Sequence, residues 1–254
     1  MAKDKELLDT QRNYIVSKSN DMIQKTRYQL SLSEQRAICY ICSLIKPQTS
    51  DGTYQLEYKF KIKDYAEVCG IDDDNGVLYE KTREMLKELR DKSFYLMQEN
   101  GTEVLVSWIA KVWATKRSGT VKVRLDEDMI PFLFDLQKKF TAYGLINILK
   151  MKSRHSIRLY ELLRSYAYQR EKTFEVEELK HLLMVDDRES YSNYNLFKNR
   201  VLTPALKEIN NLTDLDVELK EFRQGQGNKV VLVTFIIEKR DGYYQKMIHE
   251  QKME

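Results

Sequence analysis

Phe60-Lys-Ile-Lys-Asp-Tyr-Ala-Glu-Val-Cys-Gly-Ile-Asp-Asp73 returns later in the chain as Phe174-Glu-Val-Glu-Glu-Leu-Lys-His-Leu-Leu-Met-Val-Asp-Asp187, with aromatic, aliphatic and acidic positions in step. A pattern that recurs together with its surroundings marks one structural unit used twice. The surroundings do recur. A helix with an apolar stripe precedes each copy: Ser33 to Ile45, striped by Ile38, Ile41, Cys42 and Ile45, and Ser156 to Tyr168, striped by Leu159, Leu162, Leu163 and Tyr166. Ser31 or Ser33 supplies an N-cap for the first. Each copy then begins as a short strand, Phe60 to Ile62 or Phe174 to Val176, and passes through a short helix and an acidic turn into a longer helix.

The longer helices are read as Leu78 to Leu89 and Tyr194 to Ile209, with Leu86-Lys-Glu-Leu and Leu206-Lys-Glu-Ile at matching places. β-rich sequence follows both: Ser93 to Met97, Val104 to Ala114 and Val121 to Leu125 in the first copy, Leu215 to Phe222 and Val230 to Ile237 in the second. Helix, strand, helix, helix and β-hairpin is the order of a winged helix. The expected fold is therefore α+β, two tandem winged-helix domains related by an internal repeat, over 1–128 and 129–254. A helix from Pro131 to Leu149 is expected to join them, with Pro131 at its first turn after Asp126, Glu127 and Asp128.

Composition narrows the function classes. The 254 residues are enough for two cores, and 42 Lys and Arg against 39 Asp and Glu leave a net charge of only +3, so any polyanion partner must be met by local charge. Three cysteines and a polar N-terminus with no apolar leader point to a reducing cytoplasm. No apolar run approaches the roughly 20 residues of a membrane helix.

Local charge is present. On the Tyr194 to Asn210 helix, Phe197, Val201, Leu202, Ala205 and Ile209 take one face and leave Lys198, Asn199, Arg200, Thr203 and Lys207 on the other. Arg and Lys can donate to guanine O6 and N7, and Asn can pair with adenine; an ordinary solvated helix face shows the same pattern. Pro204 is expected to bend or restart this helix, with Thr203 as a local cap. From Lys150 to Arg170 six cations face only Glu161, a local charge of about +5, and Lys152, Ser153, Arg154 and Ser156 gather where a helix begins, a setting suited to a phosphate. Arg223-Gln-Gly-Gln-Gly-Asn-Lys229 reads as a basic wing tip. In the first copy Lys81, Arg83 and Lys87 alternate with Glu80, Glu84 and Glu88, and Lys116 and Arg117 open a second candidate wing; this mixture also fits a salt-bridged surface.

Enzymatic signatures are missing. His155, His181 and His249 form no ligand spacing, no phosphate-cradling glycine loop occurs, and Cys39 and Cys42 fit the apolar stripe of their helix. Asp72-Asp-Asp-Asn-Gly76 is out of register for a calcium loop, so neither a metal nor any other cofactor is expected.

Val16-Ser-Lys-Ser-Asn-Asp-Met-Ile23, Tyr28-Gln-Leu-Ser-Leu-Ser-Glu-Gln-Arg36, Ile130-Pro-Phe-Leu133, Leu136-Gln-Lys-Lys-Phe-Thr-Ala-Tyr143, Ile157-Arg-Leu-Tyr-Glu-Leu-Leu163 and Phe197-Lys-Asn-Arg-Val-Leu-Thr-Pro-Ala-Leu-Lys-Glu-Ile-Asn210 together resemble the iteron-binding plasmid replication initiators of the Rep_3 family. The resemblance implies a non-enzymatic protein that binds direct repeats of double-stranded DNA at an origin, helps melt adjacent DNA and recruits the host initiator and replicative helicase. It also implies homodimers, formed largely through the first domain, that repress the protein's own promoter. Lys198, Asn199 and Arg200 occupy the family's base-reading run, with Asn199 where a third basic residue is often found. A transcriptional repressor of the same fold and a nicking replication enzyme are the alternatives, the latter disfavoured by the lack of a histidine cluster.

Overall fold

A computed structural model of the chain describes residues 14–45, 53–72, 76–97, 101–136, 139–224 and 228–240. They fall into two compact units, one within Ala2–Met22 and Leu30–Leu149, the other within Ile23–Gln29 and Lys150–Glu254. The division lies after Leu149 rather than at the expected 128/129, and a short N-terminal segment belongs with the C-terminal unit.

In the first unit, β1 (Ile15–Ser19) leads into the short α1 (Asn20–Lys25), which reaches the segment assigned to the other unit. The leading helix of the repeat is α2 (Leu32–Ser43), and Ser31 closes a capping box with Glu34: the Ser31 hydroxyl accepts from the Glu34 amide, and the Glu34 carboxylate accepts from the Ser31 amide at 2.6 Å. Such a cap stabilises a helix by about 1 kcal/mol. Glu34 is fully buried, and Lys92 Nζ at 2.5 Å supplies the countercharge that burial demands. Next come β2 (Glu57–Lys61), α3 (Ile62–Cys69) and α4 (Leu78–Arg90), with Gly70 in the left-handed conformation after α3.

The run read as Val104 to Ala114 is interrupted at Trp108. β3 (Ser93–Met97) pairs only with β4 (Glu103–Ser107), forming a separate hairpin, while β5 (Ile109–Thr115) joins β6 (Thr120–Leu125) and β2 in a sheet of order β2-β6-β5. Trp108 is wholly buried and packs on Phe94 at a centroid distance of 5.0 Å, which pins the junction. This unit is thus a winged helix with an extra hairpin inserted before the wing. Tyr40 meets Phe60 and Tyr65 edge-on in its core, and Phe60 and Tyr65 are tilted against each other. The three cysteines are buried, and burial pushes the Cys69 thiol up to about 12, so they act as core side chains.

No helix spans Pro131 to Leu149. α5 (Ile130–Leu133) is one turn, β7 (Phe140–Gly144) pairs antiparallel with β1, and α6 (Ile146–Leu149) is again one turn. β-strand partners override local pattern here, because Thr141 to Gly144 satisfy the backbone of a strand far upstream.

In the second unit, α7 (Arg154–Tyr166), capped by Ser153, precedes β8 (Glu171–Glu175) and α8 (Val176–Leu182). β9 (Leu215–Gln224) and β10 (Lys229–Lys239) form the closing hairpin, with sheet order β8-β10-β9. Both sheets therefore place the last strand in the centre, between the strand that follows the leading helix and the first wing strand. Phe174, Phe235, Leu162 and Phe197 fill the core. Met184 has φ 56 at the repeat position of Gly70, φ 62, so the same left-handed stop is made once with glycine and once without.

Residues 23–29 are held in this unit by Arg158. Its guanidinium is buried, donates to the Thr26 carbonyl at 2.8 Å and stacks over Tyr28 at 4.8 Å, while the Tyr28 hydroxyl donates to Glu161 at 3.2 Å. Arg27 pairs with Asp186, which also takes His181 Nδ1 at 2.9 Å.

Candidate nucleic-acid interface

The helix that follows the turn in the second unit runs in three consecutive parts: α9 (Tyr194–Phe197), a π-helical turn (Lys198–Leu202) and α10 (Thr203–Leu212). Asn193 starts it, its side-chain oxygen accepting from the Asn195 and Leu196 amides. Pro204 neither breaks nor restarts it, and Thr203 has helical φ and ψ and caps nothing. The wider turn runs into the proline, the Thr203 amide bonding back to the Lys198 carbonyl five residues earlier. π turns of this kind re-aim side chains within a continuing helix.

Phe197, Val201, Leu202, Ala205 and Ile209 are buried as the sequence predicts, the five-residue step from Phe197 to Leu202 matching the π turn. The other end is fixed by Asn210, whose amide donates to the Val217 carbonyl at 2.9 Å and whose oxygen accepts from the Val217 amide at 2.8 Å. Asn199, Arg200, Thr203 and Lys207 are exposed, and none of their side chains has a hydrogen bond or ion pair among the described residues. Their donors are open to solvent on a helix anchored at both ends.

Lys198 differs from the expectation. Its ammonium sits 2.7 Å from Glu221 Oε1 on β9, and the same carboxylate accepts from the Tyr194 hydroxyl at 2.9 Å and pairs with Arg223 at 3.0 Å. Burial opposes ionisation of Glu221, but the hydrogen bonds from Lys198 and Tyr194 outweigh it and hold the carboxyl below the ordinary glutamate value. Lys198 is thus paired within the protein, and Arg223 is half committed to the same carboxylate. Lys229 is exposed on the opposite strand; Gly225 and Gly227 of the expected wing tip lie outside the described residues. A groove of about 890 Å³ opens between Asn193 to Asn195 and the wing residues Arg223 and Lys229.

The start of α7 is only partly the phosphate site expected. Ser153 accepts from the His155 amide at 3.1 Å and so fills the terminus itself, and Ser156 is fully buried, out of reach of any ligand outside. Lys152 remains exposed, its amide bonded to Glu208. Arg154 is half-buried, and burial followed by the neighbouring Arg188 makes its charge costlier than usual. Arg188, which the sequence did not single out, is an exposed cation stacked over Tyr191 at 5.7 Å. His155 is pushed down to about 4 by burial and then by Arg154, and is neutral at pH 7. Of the other cations in this stretch, Arg158 is internal and Arg164 pairs with Asp214 at 3.4 Å, so the local excess of charge is smaller at the surface than in the sequence.

On α4, Arg83 pairs with Glu80, Lys87 with Glu84, and Lys116 reaches across from the wing to Glu80 at 2.7 Å. Lys81 and Arg117 are exposed without an ion pair among the described residues. The first unit therefore presents a largely neutralised helix, and the second an open one.

Two winged helices in tandem, the second with side-chain donors on its exposed helix that have no partner among the described residues, define the class. The family model described as Initiator Replication protein, WH1, matches residues 15–164, and Initiator Rep protein, WH2, matches 175–237. The chain belongs to this family of replication initiator proteins. It is 26% identical over 215 residues to a replication initiation protein of Escherichia coli, covering 79% of this chain but only 63% of that relative's length, and 22% identical to an uncharacterized 27.6 kDa protein of the same organism, covering 79% of this chain and 86% of that relative. Among solved structures, the Pi initiator protein in complex with iteron DNA superposes with a TM-score of 0.71 at 21% identity, covering 91% of this chain and 99% of that one.

Proposed function

We propose that the chain initiates replication by binding tandem repeats of double-stranded DNA, with the 194–212 helix in the major groove. The observation that carries this reading is the row Asn199, Arg200, Thr203 and Lys207, whose side chains are exposed and have no partner among the described residues, on an anchored helix of an initiator-family protein. In this arrangement Arg200 and Asn199 read base edges; Lys207, Lys229, Lys152 and Arg154 take phosphates and set register. Lys81 and Arg117 give the first unit an accessory backbone contact. The solved Pi complex with iteron DNA supports the choice of repeated sites.

The same reading assigns no catalytic step. Self-association falls to the first unit, whose inserted hairpin sets Tyr95 opposite Leu105 with both side chains exposed. Autorepression by the dimer, recruitment of the host initiator and replicative helicase, and action in the cytoplasm complete the role. No helix among the described residues is long and apolar enough to cross a membrane. A gel-shift titration on the DNA flanking the protein's own gene, against excess random duplex, tests the central part: retained complexes support it, and equal competition by both DNAs contradicts it. Supercoiled flanking DNA incubated with the protein and a divalent metal is expected to stay unnicked.

A further inference from the structure

We infer that Glu221 is a specificity-determining positioning residue: it locks the exposed helix to the wing and withholds two cations from the DNA backbone. This rests on the DNA-binding reading above and goes beyond it. One carboxylate, only 15% exposed, gathers Lys198 and Tyr194 from the first turns of the helix and Arg223 from its own strand. Burial and the Glu221 hydrogen bond hold the Tyr194 hydroxyl in its neutral, donating form. The knot therefore has three donors on one acceptor group and spans two elements that are separate in sequence.

Two consequences follow. Asn199 and Arg200 come directly after Lys198, so the knot fixes the approach of the base-reading residues relative to the wing. In addition, a cation already neutralised by a near-buried carboxylate releases little when it meets a phosphate. Sequence-independent affinity grows with the number of phosphates neutralised, whereas discrimination depends on register, so Glu221 lowers the first and sharpens the second.

Glu221→Gln keeps an acceptor for Tyr194 while removing the charge. With the full chain and a random-sequence duplex read by fluorescence anisotropy across a salt series, the slope of log K against log[salt] should steepen by about 1 to 2 units, at about 0.9 per phosphate gained. The ratio of affinity for a duplex selected by the wild-type chain from a random pool to that for random duplex should fall severalfold. Adding Lys198→Ala to Glu221→Gln should take back about one unit of slope. A merely structural Glu221 would weaken both DNAs together at an unchanged slope, and that result overturns the proposal. Should Glu221→Gln not fold by circular dichroism, Lys198→Ala alone decides: its slope stays within about 0.3 of wild type if the cation is already withheld, and a loss of a full unit overturns the proposal. A wild-type chain that binds neither duplex refutes the DNA-binding reading itself; a wild type that binds, with variants of unaltered slope and ratio, refutes only the role of Glu221.

Discussion

Replacing Arg200 by alanine isolates base reading from everything else the helix does. The side chain is exposed, lies within the π turn and has no partner among the described residues, so its removal should change folding stability by no more than about 0.5 kcal/mol. A bidentate arginine contact to guanine discriminates by about 1 to 3 kcal/mol, which at 1.4 kcal/mol per tenfold is roughly a 5- to 150-fold loss of affinity for the preferred duplex. The loss should be confined to one position. Anisotropy titrations against the preferred duplex and its single-base variants, at one fixed salt concentration, would show wild type rejecting the wrong base there and Arg200→Ala accepting all four about equally. Arg154→Ala supplies the contrast, weakening every duplex alike and lowering the salt slope by about 0.9. If Arg200→Ala instead weakens all sequences uniformly with a shallower salt slope, Arg200 is a phosphate contact and the assignment of the reading face fails.

Three predictions concern stability. Arg158→Ala leaves the Thr26 carbonyl and the Tyr28–Glu161 pair without their buried cation and should cost about 3 kcal/mol in urea unfolding, whereas an unchanged midpoint would deny Arg158 its role in holding residues 23–29. Gly70→Ala meets no atom within 4 Å and pays only for the left-handed backbone, about 1 kcal/mol, while Met184→Gly, which relieves that strain and adds chain entropy, should stay within about 1 kcal/mol of wild type. His155 has a folded pKa near 4, below its unfolded value near 6.5, so the unfolded chain binds the extra proton and stability falls as pH drops from about 6.5 to about 4. His155→Gln should remove on the order of 2 kcal/mol of that pH dependence in paired thermal melts; identical slopes for both proteins would show that His155 is not held neutral.

The repeat was legible because each copy carries its own local signals: capping serines, apolar stripes and an aromatic strand start. The buried face of the 194–212 helix was legible too, since Phe197, Val201, Leu202, Ala205 and Ile209 reveal the core side whatever the exact helical pitch. What failed depended on partners distant in sequence. Thr141 to Gly144 fall within the helix expected from Pro131 to Leu149 and form a strand because β1 is there to pair with them. Lys198 looks like its neighbours until Glu221, on another strand, is brought 2.7 Å away. Arg158 adds to a local charge count although its guanidinium faces inward, and Ser156 lies four residues from the exposed Lys152 yet is fully buried. Charge counting along a chain cannot separate surface from interior, and here about a third of the apparent basic patch was interior: two of the six cations between Lys150 and Arg170 are consumed by Thr26, Tyr28 and Asp214.

The central claim is that this chain recognises repeated duplex sites through the helix of its second unit. Footprinting of the full chain along the DNA surrounding its own gene tests that most directly. The account predicts a ladder of evenly spaced protections over direct repeats, filled stepwise as protein is added and shifted roughly 5- to 150-fold to higher protein concentration by Arg200→Ala. Uniform protection of the whole fragment, or protection of one inverted repeat and nothing else, would contradict it.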